Sequence, residues 1–175
     1  ERVCTATNPL MMIVMLGLRP ITGELFLTGI FACMGFSVAA VGLFLLRFAR
    51  KPGAVLFFVL AFTTSKAFVD FSTSGLENCL AHLLLIGFLS LWLSEGSASA
   101  RRLSGLGLLG GLIALNRLDH ALLVIPALAS LAWDHRREPR SLARLALGAV
   151  PLFTWEVFSL VYYGALFPNT ALAKL

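Results

Sequence analysis

Apolar blocks of helix length, separated by short polar or basic segments, run along the chain from Pro9 to Tyr163. The first, Pro9 to Leu18, would span about 15 Å as a helix, against a hydrocarbon core of about 30 Å. With Asn8 as a cap and Pro9 at the first helical position, it predicts an interfacial or re-entrant helix over 9–18 rather than a crossing. Leu25 to Leu46 carries no charge and is long enough to cross; Arg47, Arg50 and Lys51 end it and Pro52-Gly53 turns the chain. Ala54 to Val69 predicts a second crossing, interrupted late by Lys66, and Cys79 to Leu93 a third. Leu103–Leu115 and Ala121–Trp133 are each short for a perpendicular span and are split by Asn116, Arg117, Leu118, Asp119 and His120. Together they predict a short or re-entrant helical hairpin over 103–133, its polar tip near the far surface or in a cavity. Leu145 to Tyr163 predicts the last crossing.

Composition agrees with that pattern. Of 175 residues, 58% are hydrophobic and 13% charged, and the mean hydropathy is +0.87. A soluble domain of this length needs more charge to cover its surface. The expected fold class is therefore all-α, a polytopic transmembrane helical bundle. The net charge of +5 does not point to nucleic acid, because nine of the 14 basic residues cluster in three short loops. Arg47, Arg50, Lys51, Arg101, Arg102, Arg136, Arg137, Arg140 and Arg144 make up that set, and the positive-inside rule puts it in the cytoplasm. The polar segments around Glu77, Asp119 and Asn169 then fall on the outer face.

The chemistry-bearing residues each have a plain structural alternative. Gly105-Leu106-Gly107-Leu108-Leu109-Gly110 matches the dinucleotide fingerprint, but no strand precedes it, and Gly107 with Gly111 reads as a close helix-packing pair. Ser74 and Glu77 have capping-box spacing; alternatively Glu77 faces a polar cavity and binds a hydroxyl or a cation. Lys66 and Asp70 are placed to form an ion pair one turn apart. Arg117 and Asp119 form either a self-satisfied pair at a loop tip or a phosphate-binding fork oriented by a carboxylate. His120 reads as an interfacial residue, not a metal ligand, and no metal site is expected. Glu156 is an intramembrane carboxylate, a functional candidate or a paired structural one. Trp155, Tyr162 and Tyr163 read as interfacial anchors. Cys4, Cys33 and Cys79 have neither metal-ligand nor disulfide-framework spacing and read as small packing residues.

Three segments in order carry a resemblance: Asp70 to Asn78 (DFSTSGLEN), Asn116-Arg117-Leu118-Asp119, and Tyr162 to Lys174 (YYGALFPNTALAK). With the opening Asn8-Pro9-Leu10, they resemble the GT-C-fold glycosyltransferases of the actinobacterial terminal arabinofuranosyltransferase type, and related bacterial proteins, some named flagellar motor control proteins. The resemblance covers nearly the whole chain. In the arginine-aspartate segment Leu118 stands where the family often has proline. The resemblance implies an integral inverting transferase of the bacterial inner membrane. It would use a polyprenyl-phosphate sugar to glycosylate a cell-envelope glycan on the outer face. Its partners would be membrane lipids, the lipid-linked sugar donor and the glycan acceptor, with no nucleic acid and no tightly bound cofactor. Glu77, Asn78, Asp119 and Asn169 would contact sugar or acceptor, and Arg117 and Lys174 the phosphate. The family's usual catalytic base lies in an outer loop after its first transmembrane helix, which would fall upstream of Glu1.

Glu1-Arg2-Val3 lacks a signal peptide's charged start and apolar core, and a new polar segment begins near Lys174. The expectation is an internal piece of a longer protein: residues 1–175 as part of one transmembrane domain, without a separate soluble domain and inactive on its own. Two other classes compete. A transporter or flippase for a lipid-linked or anionic substrate would suit the broken hairpin and Glu156, although no internal repeat is visible. In a non-catalytic membrane scaffold the polar motifs would serve as caps and anchors.

Overall fold

In the computed structural model, residues 8–94 and 99–164 are described. Among them every regular element is helical, as the apolar periodicity predicts. They group into two compact units, one over residues 11–93 and one formed by the described residues 8–10, 94 and 99–164.

The first unit is built around α2, Leu25–Phe48. It is the one helix among the described residues long and apolar enough to cross a membrane, or one of three if each bent helix pair is a single span. At ~1.5 Å per residue its 24 residues extend ~36 Å. Ahead of it, α1 covers Pro9–Thr22 and so runs past the expected end at Leu18. Polarity does not stop a helix; Gly23 does, with φ +75° and its N–H on the Arg19 carbonyl at 2.9 Å. Buried Thr28 fixes the turn, donating to the Glu24 carbonyl at 2.6 Å and hydrogen-bonding Thr22.

The crossing expected over 54–69 is not continuous. Helix α3, Pro52–Thr64, and α4, Lys66–Ser72, meet at Ser65 with a 71° bend. The Thr63-Thr64-Ser65 run supplies the cause, since hydroxyls compete with helical backbone bonds. Thr63 and Thr64 bond back to the Val59 and Leu60 carbonyls at 2.9 and 2.7 Å. Ser65 takes an extended conformation and caps α4 by accepting the Phe68 N–H.

The unit closes with α5, Asn78–Trp92, packed on α2. Cys79 lies level with Cys33, since both thiols reach the Leu76 carbonyl. Farther along, Leu85 and Ile86 share a cavity with Ala40 and Val41. The two helices therefore run in the same direction. Helix α5 begins about eight residues, or ~12 Å, along α2 from Leu25, and its 15 residues end near the far end of α2. The space above its start holds the loop 73–77, where Gly75, with φ +73°, lies against Gly29 of α2.

The second unit is organised by α6, Ala100–Asn116, which packs on α7, Ala121–Asp134, on α8, Pro139–Gly148, and on α9, Val150–Tyr163. The hairpin expected over 103–133 is present as α6 and α7, joined by a 3₁₀ turn at Leu118–His120. Gly107 and Gly111 are packing glycines. A Cβ at Gly107 would overlap the Leu145 carbonyl, and one at Gly111 would sit 3.2 Å from the Ala149 Cα. The single crossing expected over 145–163 is instead α8 and α9, bent by 58° at Ala149. Gly148 seats against the α6 backbone, and Pro151 in the first turn of α9 suits a fresh helix start.

Candidate functional site

Each unit carries one of the candidate polar segments at a break between helices. In the first, Ser74 does not cap α5 in a capping box with Glu77. Its hydroxyl donates to the Phe71 carbonyl at 2.9 Å and accepts from the Leu76 N–H at 3.2 Å, so it stabilises the turn. Glu77 is instead the N-cap residue, in helical conformation and without a side-chain cap bond. The cause is the glycine: Gly75 in the left-handed region turns the chain before a box can close. Glu77 and Asn78 are half-buried. Both lie beside α2 about 12 Å along it from Leu25, not at its tip.

Lys66 and Asp70 form the expected ion pair, 3.0 Å apart, with side chains 87% and 61% exposed. That exposure makes it a solvated surface pair of small energetic weight. Below this segment, α2, α3 and α4 enclose an apolar groove of about 470 Å³ lined by Met34, Val38, Leu45, Val59, Phe62 and Phe68. Thr63, Ser72 and Thr73 are the hydroxyl-bearing side chains at the α3–α4 side of its wall. Neighbouring rings continue the wall, Phe62 on Phe68 at 5.1 Å and Phe68 stacked on His82 at 5.7 Å. The sequence reading missed this groove, which follows from the bend at Ser65; the Thr-Thr-Ser run was the available signal.

In the second unit Arg117 and Asp119 meet fork to fork, Nε to Oδ1 at 3.0 Å and Nη2 to Oδ2 at 2.8 Å. Arg117 holds the Asp119 carboxyl below its ordinary range, chiefly through that hydrogen bond. The geometry arises because Arg117 leaves α6 in an extended conformation while Leu118–His120 wind into a 3₁₀ turn. The pair is partly open to solvent, with Asp119 the more exposed of the two side chains. Asn116, just before it, is fully buried. His120 has a buried Nδ1 with no hydrogen-bond partner among the described residues.

Glu156 lies on α9, half-buried, and neither a salt bridge nor a hydrogen bond holds its side chain among the described residues. Around it run Trp155 on Phe158 at 5.4 Å and Phe158 stacked on Tyr162 at 5.3 Å. The basic loop forms a second, polar cavity of about 450 Å³ lined by Arg137, Arg140 and Arg144, where the Ser141 hydroxyl donates to Glu138 at 2.9 Å. Arg136 packs over Trp133, 4.6 Å from the ring centre.

The structure thus pairs Arg117 with Asp119, and sets Glu77 next to Asn78 at a helix start. Asn169 and Lys174 lie outside the described residues. No cluster of three metal-ligating side chains occurs among the described residues. No protein-family model matches the chain, and neither a curated protein nor a solved structure matches it.

Proposed function

We propose that the chain is part of a multi-pass GT-C-like glycosyltransferase of the bacterial inner membrane, one that transfers a sugar from a polyprenyl-phosphate donor to a cell-envelope glycan. The observation that carries this reading is the ordered set of polar segments, Asp70–Asn78, Asn116–Asp119 and Tyr162–Lys174. Two structural features support it. The apolar groove beside α4 suits a hydrocarbon chain. The Arg117 fork, oriented by Asp119, suits a phosphate. Inverting transfer needs a base for the acceptor hydroxyl and stabilisation of the departing phosphate. Arg117 and Lys174 serve the phosphate, while Glu77, Asn78, Asp119 and Asn169 position sugar and acceptor.

A second reading, a transporter or flippase for a lipid-linked or anionic substrate, is favoured by the bends at Ser65 and Ala149. Broken helices are a common way to build a binding site at membrane depth. The test is the parent protein in membranes, supplied with radiolabelled polyprenyl-phosphate pentose or hexose and a glycan acceptor. Label should appear in the glycan and be lost in Arg117→Ala, with insertion unchanged. Label that crosses the bilayer but stays on the lipid would establish the transporter. Transfer unaffected by Arg117→Ala would remove that residue from the site.

A further inference from the structure

Cys33, within α2, and Cys79, in the first turn of α5, come from distant parts of the sequence and are 0% and 1% exposed. Their thiols converge on one oxygen. Cys33 Sγ donates to the Leu76 carbonyl at 3.2 Å and Cys79 Sγ donates to the same carbonyl at 3.0 Å. Small apolar residues would fill this contact between two helices equally well, yet both positions carry sulfur directed at a shared point.

We infer that Cys33 and Cys79 are a cross-linking site, oxidised to a disulfide that fastens the start of α5 to α2. Both sulfurs lie within 3.2 Å of the same Leu76 oxygen, which makes them neighbours across the α2–α5 contact, and closing the bond brings them to about 2.05 Å. The oxidant is a disulfide-bearing small molecule or protein. One cysteine thiolate attacks a donor sulfur, forming a mixed disulfide and releasing one donor thiolate. The second cysteine thiolate then attacks the cysteine sulfur of the mixed bond and releases the other. Two protein thiols lose two protons and two electrons, and one donor disulfide becomes two thiols. Thiols sealed from water react poorly, so exchange takes place as α5 docks, through the loop 73–77, where Leu76 is 47% exposed. Once closed, the same burial shields the bond from reductants. The bond would pin Glu77 and Asn78, the two residues just before Cys79, beside α2.

The experiment uses the full chain with Cys4→Ser, which leaves only this pair. Diamide, a membrane-permeable thiol oxidant, is applied both to finished membranes and during synthesis and insertion. Samples are then denatured and labelled with a maleimide-polymer that retards each free thiol on a gel. The expected result is an unretarded monomer that takes two labels after reduction, and a Cys33–Cys79 linked peptide by mass spectrometry. Cys33→Ser and Cys79→Ser, as conservative variants, should each take one label with or without oxidant. Two labels after both oxidant treatments, with no linked peptide, would overturn the inference. So would a cross-link that forms only between two chains.

Discussion

Gly148→Ala tests the close contact of α8 with α6 in the second unit. A Cβ at this position would lie 2.5 Å from the Leu108 nitrogen and 2.8 Å from the Gly107 carbonyl carbon, and would overlap the Ser104 carbonyl. All three belong to the α6 backbone, so no side-chain rotation relieves them. Ordinary contact starts near 3.4 Å, which requires α6 and α8 to part by about 1 Å. A gap of that size forfeits about a quarter to a half of the dispersion attraction between facing atoms. Overpacking typically costs about 1–3 kcal/mol, and a backbone-to-backbone clash places this case near ~3 kcal/mol. In membranes the loss is not offset by solvent exclusion, because helix association there rests on close packing of small residues. The assay is reversible unfolding in mixed detergent micelles, with Gly42→Ala as the reference. A Cβ at Gly42 meets nothing within 4 Å, so that variant should be neutral or more stable by up to about 1 kcal/mol. A Gly148→Ala protein unfolding at the wild-type midpoint would refute the close-packing argument.

Ser65→Ala removes the side-chain cap of α4 and should destabilise that helix by about 1 kcal/mol. Hydrogen exchange should quicken over residues 66–72 and not over α5; uniform protection would show that the cap does not hold the bend. Asp119 titrates below its ordinary range because Arg117 binds the carboxylate. Its stabilising effect on the turn is therefore present above the ordinary carboxylate range and is lost as pH falls through the lowered value. Carboxyl NMR should record the Asp119 midpoint rising in Arg117→Gln, and an unchanged midpoint would assign the shift to another cause.

The sequence by itself determined the helical class, the position of α2 and the two-part hairpin around Arg117. Each rests on hydrophobic runs and their polar interruptions, which are local properties of the chain. It also determined that Gly107 and Gly111 serve packing, because nothing else explains glycines in an apolar helix without a strand before them. Three things were decided only by tertiary structure. Residues 54–69 and 145–163 bend instead of running straight, because hydroxyls at 63–65 and the docking of Gly148 on α6 outweigh apolar length. The polar turn before α5 sits beside α2 instead of above it, and Ser74 and Glu77 part company there, because Gly75 packs on Gly29. Cys33 and Cys79 meet because α2 and α5 run side by side in the same direction. Sequence spacing holds no trace of that register; the packing of one helix against another sets it.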